Sequence, residues 1–126
     1  MNRRNRNLSI LAGVLLLAAV AIPAAAKVKG IKSGETVAAT CDTITKDSTC
    51  AELVVTDPAK KGDAVKALKQ LCKGAKAGGS CKTAGQVGTC RIMKDIINHY
   101  YSKGPKNFTV DSAKEQCEKD HGHWVD

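Results

Sequence analysis

The chain has 126 residues, with 20 lysines and arginines, 12 aspartates and glutamates, and six cysteines. This length suits one small domain and excludes a large multidomain protein. Aromatic residues make up 3% of the chain, so little apolar material is available for a core.

Residues 1–26 have the three parts of a secretory signal peptide. Three arginines precede an uncharged apolar run from Leu8 to Ile22, and the small-residue sequence PAAA follows at 23–26. The run is shorter than the ~20 residues that cross a bilayer. We predict cleavage before Lys27, a secreted or periplasmic bacterial protein, and a mature chain without a transmembrane span. The mature chain has 17 basic and 12 acidic residues, a net charge of +5.

The first residues of the mature chain show no periodic pattern. Residues 27–39 are rich in glycine, serine and lysine, which indicates a flexible leader or a fraying first strand. Residues 40–126 contain all six cysteines, and we predict that they form a single cysteine-stapled domain.

The next stretch predicts a hairpin and then a helix. Residues 40–55 are rich in threonine and valine and have a turn signal at 46–48. A helix is predicted from a cap at Asp57 or Asp63 to Gly74. Its apolar positions Ala64, Leu68, Leu71 and Cys72 fall on one face at helical spacing.

The second half predicts strands and a last helix. Residues 77–88 are interpreted as a glycine-rich loop, and residues 91–101 suit either a helix or two strands, of which we favour strands. The last helix is predicted from Asp111 to Gly122. The fold class is therefore α+β, a small disulfide-stapled domain with two helices and a few short antiparallel strands.

The cysteines are predicted to pair with one another. An even number of cysteines in a short exported chain favours disulfides, and no C-x-x-C motif supports a structural zinc site. Six cysteines allow 15 pairings, and their spacing does not choose among these. The predicted disulfide residues are Cys41, Cys50, Cys72, Cys81, Cys90 and Cys117.

A lysine stripe on the first long helix is the main candidate binding surface. Lys66, Lys69 and Lys73 lie opposite the apolar face, where they suit either a polyanion or an ordinary solvated helix. The predicted partner is an anionic envelope component or another protein. Nucleic acid is an unlikely partner, because base reading favours arginine and aromatic side chains, which the stripe lacks.

The three histidines allow two alternative sites. His99 could act with His121 or His123 in a ribonuclease, with one imidazole as general base and another as general acid. His121 and His123 are weak candidates for a metal site, although we predict no metal or other cofactor. They are also interpreted structurally: His121 offsets the helix dipole, Gly122 takes the left-handed position after the helix, and Trp124 anchors the tail.

The sequence therefore favours a non-enzymatic exported protein that serves as a binding or interaction module, with an anionic surface as one target. A small secreted hydrolase such as a ribonuclease is the first alternative. An inhibitor or toxin that presents the loop KGAKAGGS (73–80) is the second.

Overall fold

The computed structural model describes residues 29–126, so the predicted signal peptide at 1–26 lies outside the described residues. Among residues 29–126, no helix has the length and apolar character needed to span a bilayer.

One antiparallel sheet of six strands, in the order β3-β1-β2-β5-β4-β6, organises the domain. Neighbouring strands pair antiparallel, and the two long helices pack on the sheet. The predicted α+β class is thereby confirmed. In chain order the elements are β1 (Thr36–Thr43), α1 (Ile44–Asp47), β2 (Thr49–Val55), a 3₁₀ turn (Pro58–Lys60), α2 (Lys61–Leu71), β3 (Lys76–Ala77), β4 (Gln86–Arg91), β5 (Ile96–Tyr101), α3 (Val110–Lys119) and β6 (His123–Val125).

The segment before Thr40 is more ordered than a flexible leader. Residues 36–39 belong to β1, and Ala38 and Ala39 are buried. A bulge between Val37 and Ala39 interrupts the register with β2, which explains why the strand shows no simple alternation. Residues 36–39 therefore agree with the first-strand alternative for 27–39.

Both central hairpins follow the strand patterns of the sequence. The turn between β1 and β2 is a single helical turn that ends at Ser48 in the left-handed conformation. Residues 91–101 lie in the β4–β5 hairpin, so the favoured strand interpretation is right. β4 begins at Gln86, three residues inside the predicted loop, where Gly88 allows the Trp124 ring to lie directly against the strand.

The two long helices cover the same face of the sheet. Leu68 of α2 packs with Ala39, Cys41 and Leu53. On the other half of this face, α3 packs Ala113 and Cys117 against an aromatic cluster. The cluster contains Tyr100, Phe108 and Trp124.

All six cysteines form disulfides, as predicted, and the structure selects one pairing from the 15. Cys41–Cys72 and Cys90–Cys117 join the sheet to the C-terminal ends of α2 and α3. Cys50–Cys81 lies on the opposite face and ties the 78–85 loop to β2.

Several predicted helix ends are wrong. α3 starts one residue early because Thr109 caps it, and Thr109 and Ser112 exchange the two hydrogen bonds of a capping box. α2 ends at Leu71 and does not continue to the predicted stop at Gly74, and Leu71 is 78% exposed although its spacing predicts a buried position.

The prediction that Gly122 takes the left-handed position after α3 is also wrong. His121 occupies it with φ of 55°, and Gly122 does not. Gly122 is required for a different reason, because a Cβ there would overlap the Cys90–Cys117 disulfide.

Candidate functional site

The lysines of the first long helix lie on the outer surface of the domain. Lys66 and Lys69 are exposed on α2, and their spacing of three places them on one face. Lys73 is also exposed, but it lies two residues beyond the end of α2. The predicted stripe is therefore two helical lysines followed by one lysine in a turn.

The segment around these lysines, residues 60–82, contains the excess positive charge of the described residues. From Lys60 to Lys82 there are seven lysines, all exposed, and one acidic residue, Asp63. The other described residues, 29–59 and 83–126, carry nine basic and eleven acidic side chains. Among the described residues, no ion pair within 4.0 Å involves any of these seven lysines. Their ammonium groups are free to contact an external anion.

Two clefts border the apolar side of α2. A cleft of about 520 Å³ and another of about 440 Å³ share Leu68, Leu71 and Ile96 in their walls. The exposed side chain of Met93 lines the second cleft. Aspartates and lysines both line each cleft, so neither has the charge of a dedicated ion site.

The other face of the sheet buries a polar network centred on His99. The Nε2 atom of His99 lies 3.3 Å from Glu52 Oε1, and both side chains are almost fully buried. The other ring nitrogen, Nδ1, lies 2.9 Å from Thr89 Oγ1 and contacts the Gln86 amide. Glu52 Oε1 also accepts a hydrogen bond from the Cys81 backbone N–H at 2.7 Å. The network joins β2, β4 and β5 to the 78–85 loop.

This network has a donor set that resembles a metal site without being one. One ligand atom each from Glu52, Cys81 and His99 lies within 4.8 Å of the others. The Cys81 sulfur is bonded to Cys50, however, and a metal requires a free thiolate. Two remaining ligands do not make a stable site. We therefore assign the network a structural role: it joins three strands and a loop, although Glu52 Oε2 and His99 Nε2 have no hydrogen-bond partner among the described residues.

The structure separates the histidines of the ribonuclease alternative. His99 is 2% exposed and is held in the buried network, whereas His121 and His123 are exposed and line a cleft on the surface. Because His99 does not line that cleft, the structure does not bring together the acid and base that this alternative requires.

The cleft that contains His121 and His123 lies beside an organised ion pair. Arg91 contacts the Glu35 carboxylate through two nitrogens, at 2.6 and 2.9 Å, and this guanidinium holds the pKa of Glu35 below its usual value. The same carboxylate raises the pKa of Arg91. The pair fixes the 29–35 segment against β4.

The sequence did not predict that two lysines lie beside His121 and His123. Lys32 and Lys94 line the same cleft as the two histidines, although they are far apart in the chain. One signal was available, since Arg91 is the single arginine after residue 26 and arginine is favoured for bidentate ion pairs.

The fold and its bridges define a small, disulfide-stapled α+β protein. No protein-family model, curated protein or solved structure matches the chain.

Proposed function

We propose that this is an exported binding protein that attaches to an anionic surface of the bacterial envelope through the basic segment from Lys60 to Lys82, with Lys66, Lys69 and Lys73 at its centre. The single observation that carries this proposal is the charge distribution. All of the excess positive charge of the described residues lies in this segment. Three disulfides and the predicted signal peptide support a site in an oxidising compartment outside the inner membrane.

The position of α2 supports the same conclusion. Leu68 is the one buried side chain of the helix, and the Cys41–Cys72 bridge holds its C-terminal end on the sheet. The helix therefore keeps its outer face free and has a fixed orientation. A fixed array of ammonium groups loses less entropy on binding than a flexible lysine-rich tail does.

The proposal is tested with mature protein, expected to begin at Lys27, and vesicles that contain anionic or only zwitterionic lipid. Each lysine near an anionic surface contributes about 1 kcal/mol, so the triple variant Lys66→Gln/Lys69→Gln/Lys73→Gln should partition roughly a hundredfold more weakly at low salt. Binding of the unchanged protein should also weaken as salt is added. Co-sedimentation measures both effects.

A matched control separates this segment from net charge alone. The variant Lys29→Gln/Lys103→Gln/Lys106→Gln removes the same charge from exposed positions outside the segment, and none of these three lysines forms an ion pair with the described residues. It should retain most of the binding. Equal loss in the two variants would show that the segment has no special role, and no binding to anionic vesicles would reject the function.

A further inference from the structure

A second basic feature lies at the β4–β6 edge of the sheet, and no residue of α2 lines it. It is a cleft of about 250 Å³ between the N-terminal segment, the β4–β5 turn and the C-terminal strand. Its lining contains no carboxylate among the described residues. The lining residues are Lys32, Arg91, Ile92, Met93, Lys94, His121 and His123.

Arg91 organises the cleft but does not offer it a free donor. Its guanidinium donates to the Glu35 carboxylate, to the Gly30 carbonyl at 2.9 Å and to the Lys94 carbonyl at 3.1 Å. These bonds hold the segment that carries Lys32 and the turn that carries Lys94 on either side of β4. The two lysines are thereby placed around one opening by a partly buried ion pair.

The histidines reach the cleft from a constrained part of the backbone. His121 has φ of 55°, a conformation that glycine or asparagine normally adopts after a helix and that costs other residues about 1 kcal/mol. Gly122 lies against the Cys90–Cys117 disulfide and fixes the chain between the two imidazoles. The His121 and Gly122 backbone N–H groups donate to the Glu118 and Cys117 carbonyls at 3.0 and 2.9 Å, so this conformation ends α3 and leaves the His121 side chain exposed.

We propose that this cleft binds a phosphate group, with the Lys32 and Lys94 ammonium groups and the imidazole N–H groups of His121 and His123 as its donors. Charge decides between an anion and a metal here. Lys32 and Lys94 would repel a divalent cation held by the histidines, whereas both attract a phosphate dianion. No residue of α2 lines the cleft, so the proposal does not rest on the function proposed above.

No acidic side chain of the described residues lines the cleft, and the nearby Glu35 carboxylate is paired with Arg91. The positive charge of Lys32 and Lys94 is therefore not neutralised within the cleft.

The experiment follows backbone amide NMR shifts of the oxidised protein during titration with inorganic phosphate at constant ionic strength. Saturable shifts are expected at residues 32, 94 and 121–123. At fixed pH the variant His121→Asn/His123→Gln should weaken binding roughly tenfold, because the hydrogen bonds from the two imidazoles are lost. Asparagine is chosen at 121 because it tolerates the left-handed backbone.

Two further measurements complete the experiment: one identifies the source of the phosphate group, and the other is a control variant. Phosphatidylglycerol vesicles are compared with inorganic phosphate: shifts with either probe support the site, and shifts with vesicles alone identify a lipid headgroup. The variant Lys103→Gln/Lys106→Gln should bind phosphate as the unchanged protein does. The proposal is overturned if neither probe shifts these residues, if the control loses as much affinity, or if Zn²⁺ binds the histidines more tightly than phosphate does.

Discussion

The two long helices are attached to the same face of one sheet by one disulfide each, yet their packing differs. α3 buries Ala113 and Cys117 against the Tyr100, Phe108 and Trp124 cluster, and its first turn has a capping box. α2 buries Leu68 alone and lacks a side-chain cap. The bridges close loops of similar length, with separations of 27 and 31 residues.

This difference shows that one half of the domain supplies the packed core while the other half supplies the charged surface. The α3 half supplies the aromatic core, and its segment from 83 to 126 carries no net charge. The α2 half supplies the exposed lysines, and a covalent bridge replaces much of the apolar packing that would otherwise hold the helix. Charge that would be costly near a core is thus placed on a helix that depends less on packing.

Removal of one bridge at a time gives the largest expected effect. By chain entropy, loss of Cys41–Cys72 or of Cys90–Cys117 should each lower the free energy of unfolding by about 3–4 kcal/mol, and the cost at Cys41–Cys72 should be slightly smaller because the interlocking Cys50–Cys81 bridge still restricts that part of the unfolded chain. Alanine pairs at each bridge should therefore show similar denaturant midpoints, apart from the cavity term.

Amide hydrogen exchange in the two alanine pairs then separates covalent attachment from packing. Protection should disappear throughout α2 when its bridge is absent, whereas α3 should keep part of its protection because its aromatic contacts remain. Equal loss of protection in both helices would contradict the proposed division between them.

A second comparison concerns one apolar side chain from each half. The half-buried Trp124 ring stacks on Tyr100 with a centroid distance of 6.5 Å, so Trp124→Ala should destabilise the domain by about 2–3 kcal/mol, below the range for fully buried rings. Leu71 is 78% exposed, and Leu71→Ala should change stability by less than about 0.5 kcal/mol. Thermal unfolding measures both variants. A large cost at Leu71 would mean that α2 packs more than its burial indicates.

The smallest expected difference lies at the helix starts. Thr109→Ala removes the cap of α3 and should cost about 1 kcal/mol. Asp57→Ala removes the hydrogen bond to the Ala59 N–H, which caps only the 3₁₀ turn before α2, and should cost about 0.5 kcal/mol. Urea unfolding with a common m-value compares the two. A larger cost at Asp57 would reverse the ranking.

Local patterns predicted much of the fold. The two hairpins and both long helices follow from residue preference and periodicity, and the even cysteine count indicated the bridges. Leu71 was misassigned because helical spacing reports a face and not whether another element covers it. The role predicted for Gly122 is wrong because glycine is required there by the nearby Cys90 sulfur. Cys90 belongs to another strand, so the local sequence does not show this contact.

The candidate sites depend more than the secondary structure does on contacts between residues that are far apart in the sequence. The exposure of Lys66 and Lys69 could be predicted from their position opposite Leu68. The cleft with His121 and His123 could not, because Lys32 reaches it through the Arg91–Glu35 pair and across 89 residues of sequence. No pattern within a short window contains that information.

The pairing of the cysteines has a consequence for how the chain acquires its fold. Cys41 and Cys50 emerge first from the N-terminus, but each must wait for a partner 31 residues later, and their two loops interlock. Cys90 and Cys117, in contrast, are consecutive cysteines and can pair directly. Oxidation in the order of synthesis would first join Cys41 to Cys50, and the native pairing would then require thiol–disulfide exchange, a reaction of seconds to hours. On that route the bridge that holds the lysine-bearing helix would form through a rearrangement that Cys90–Cys117 does not need.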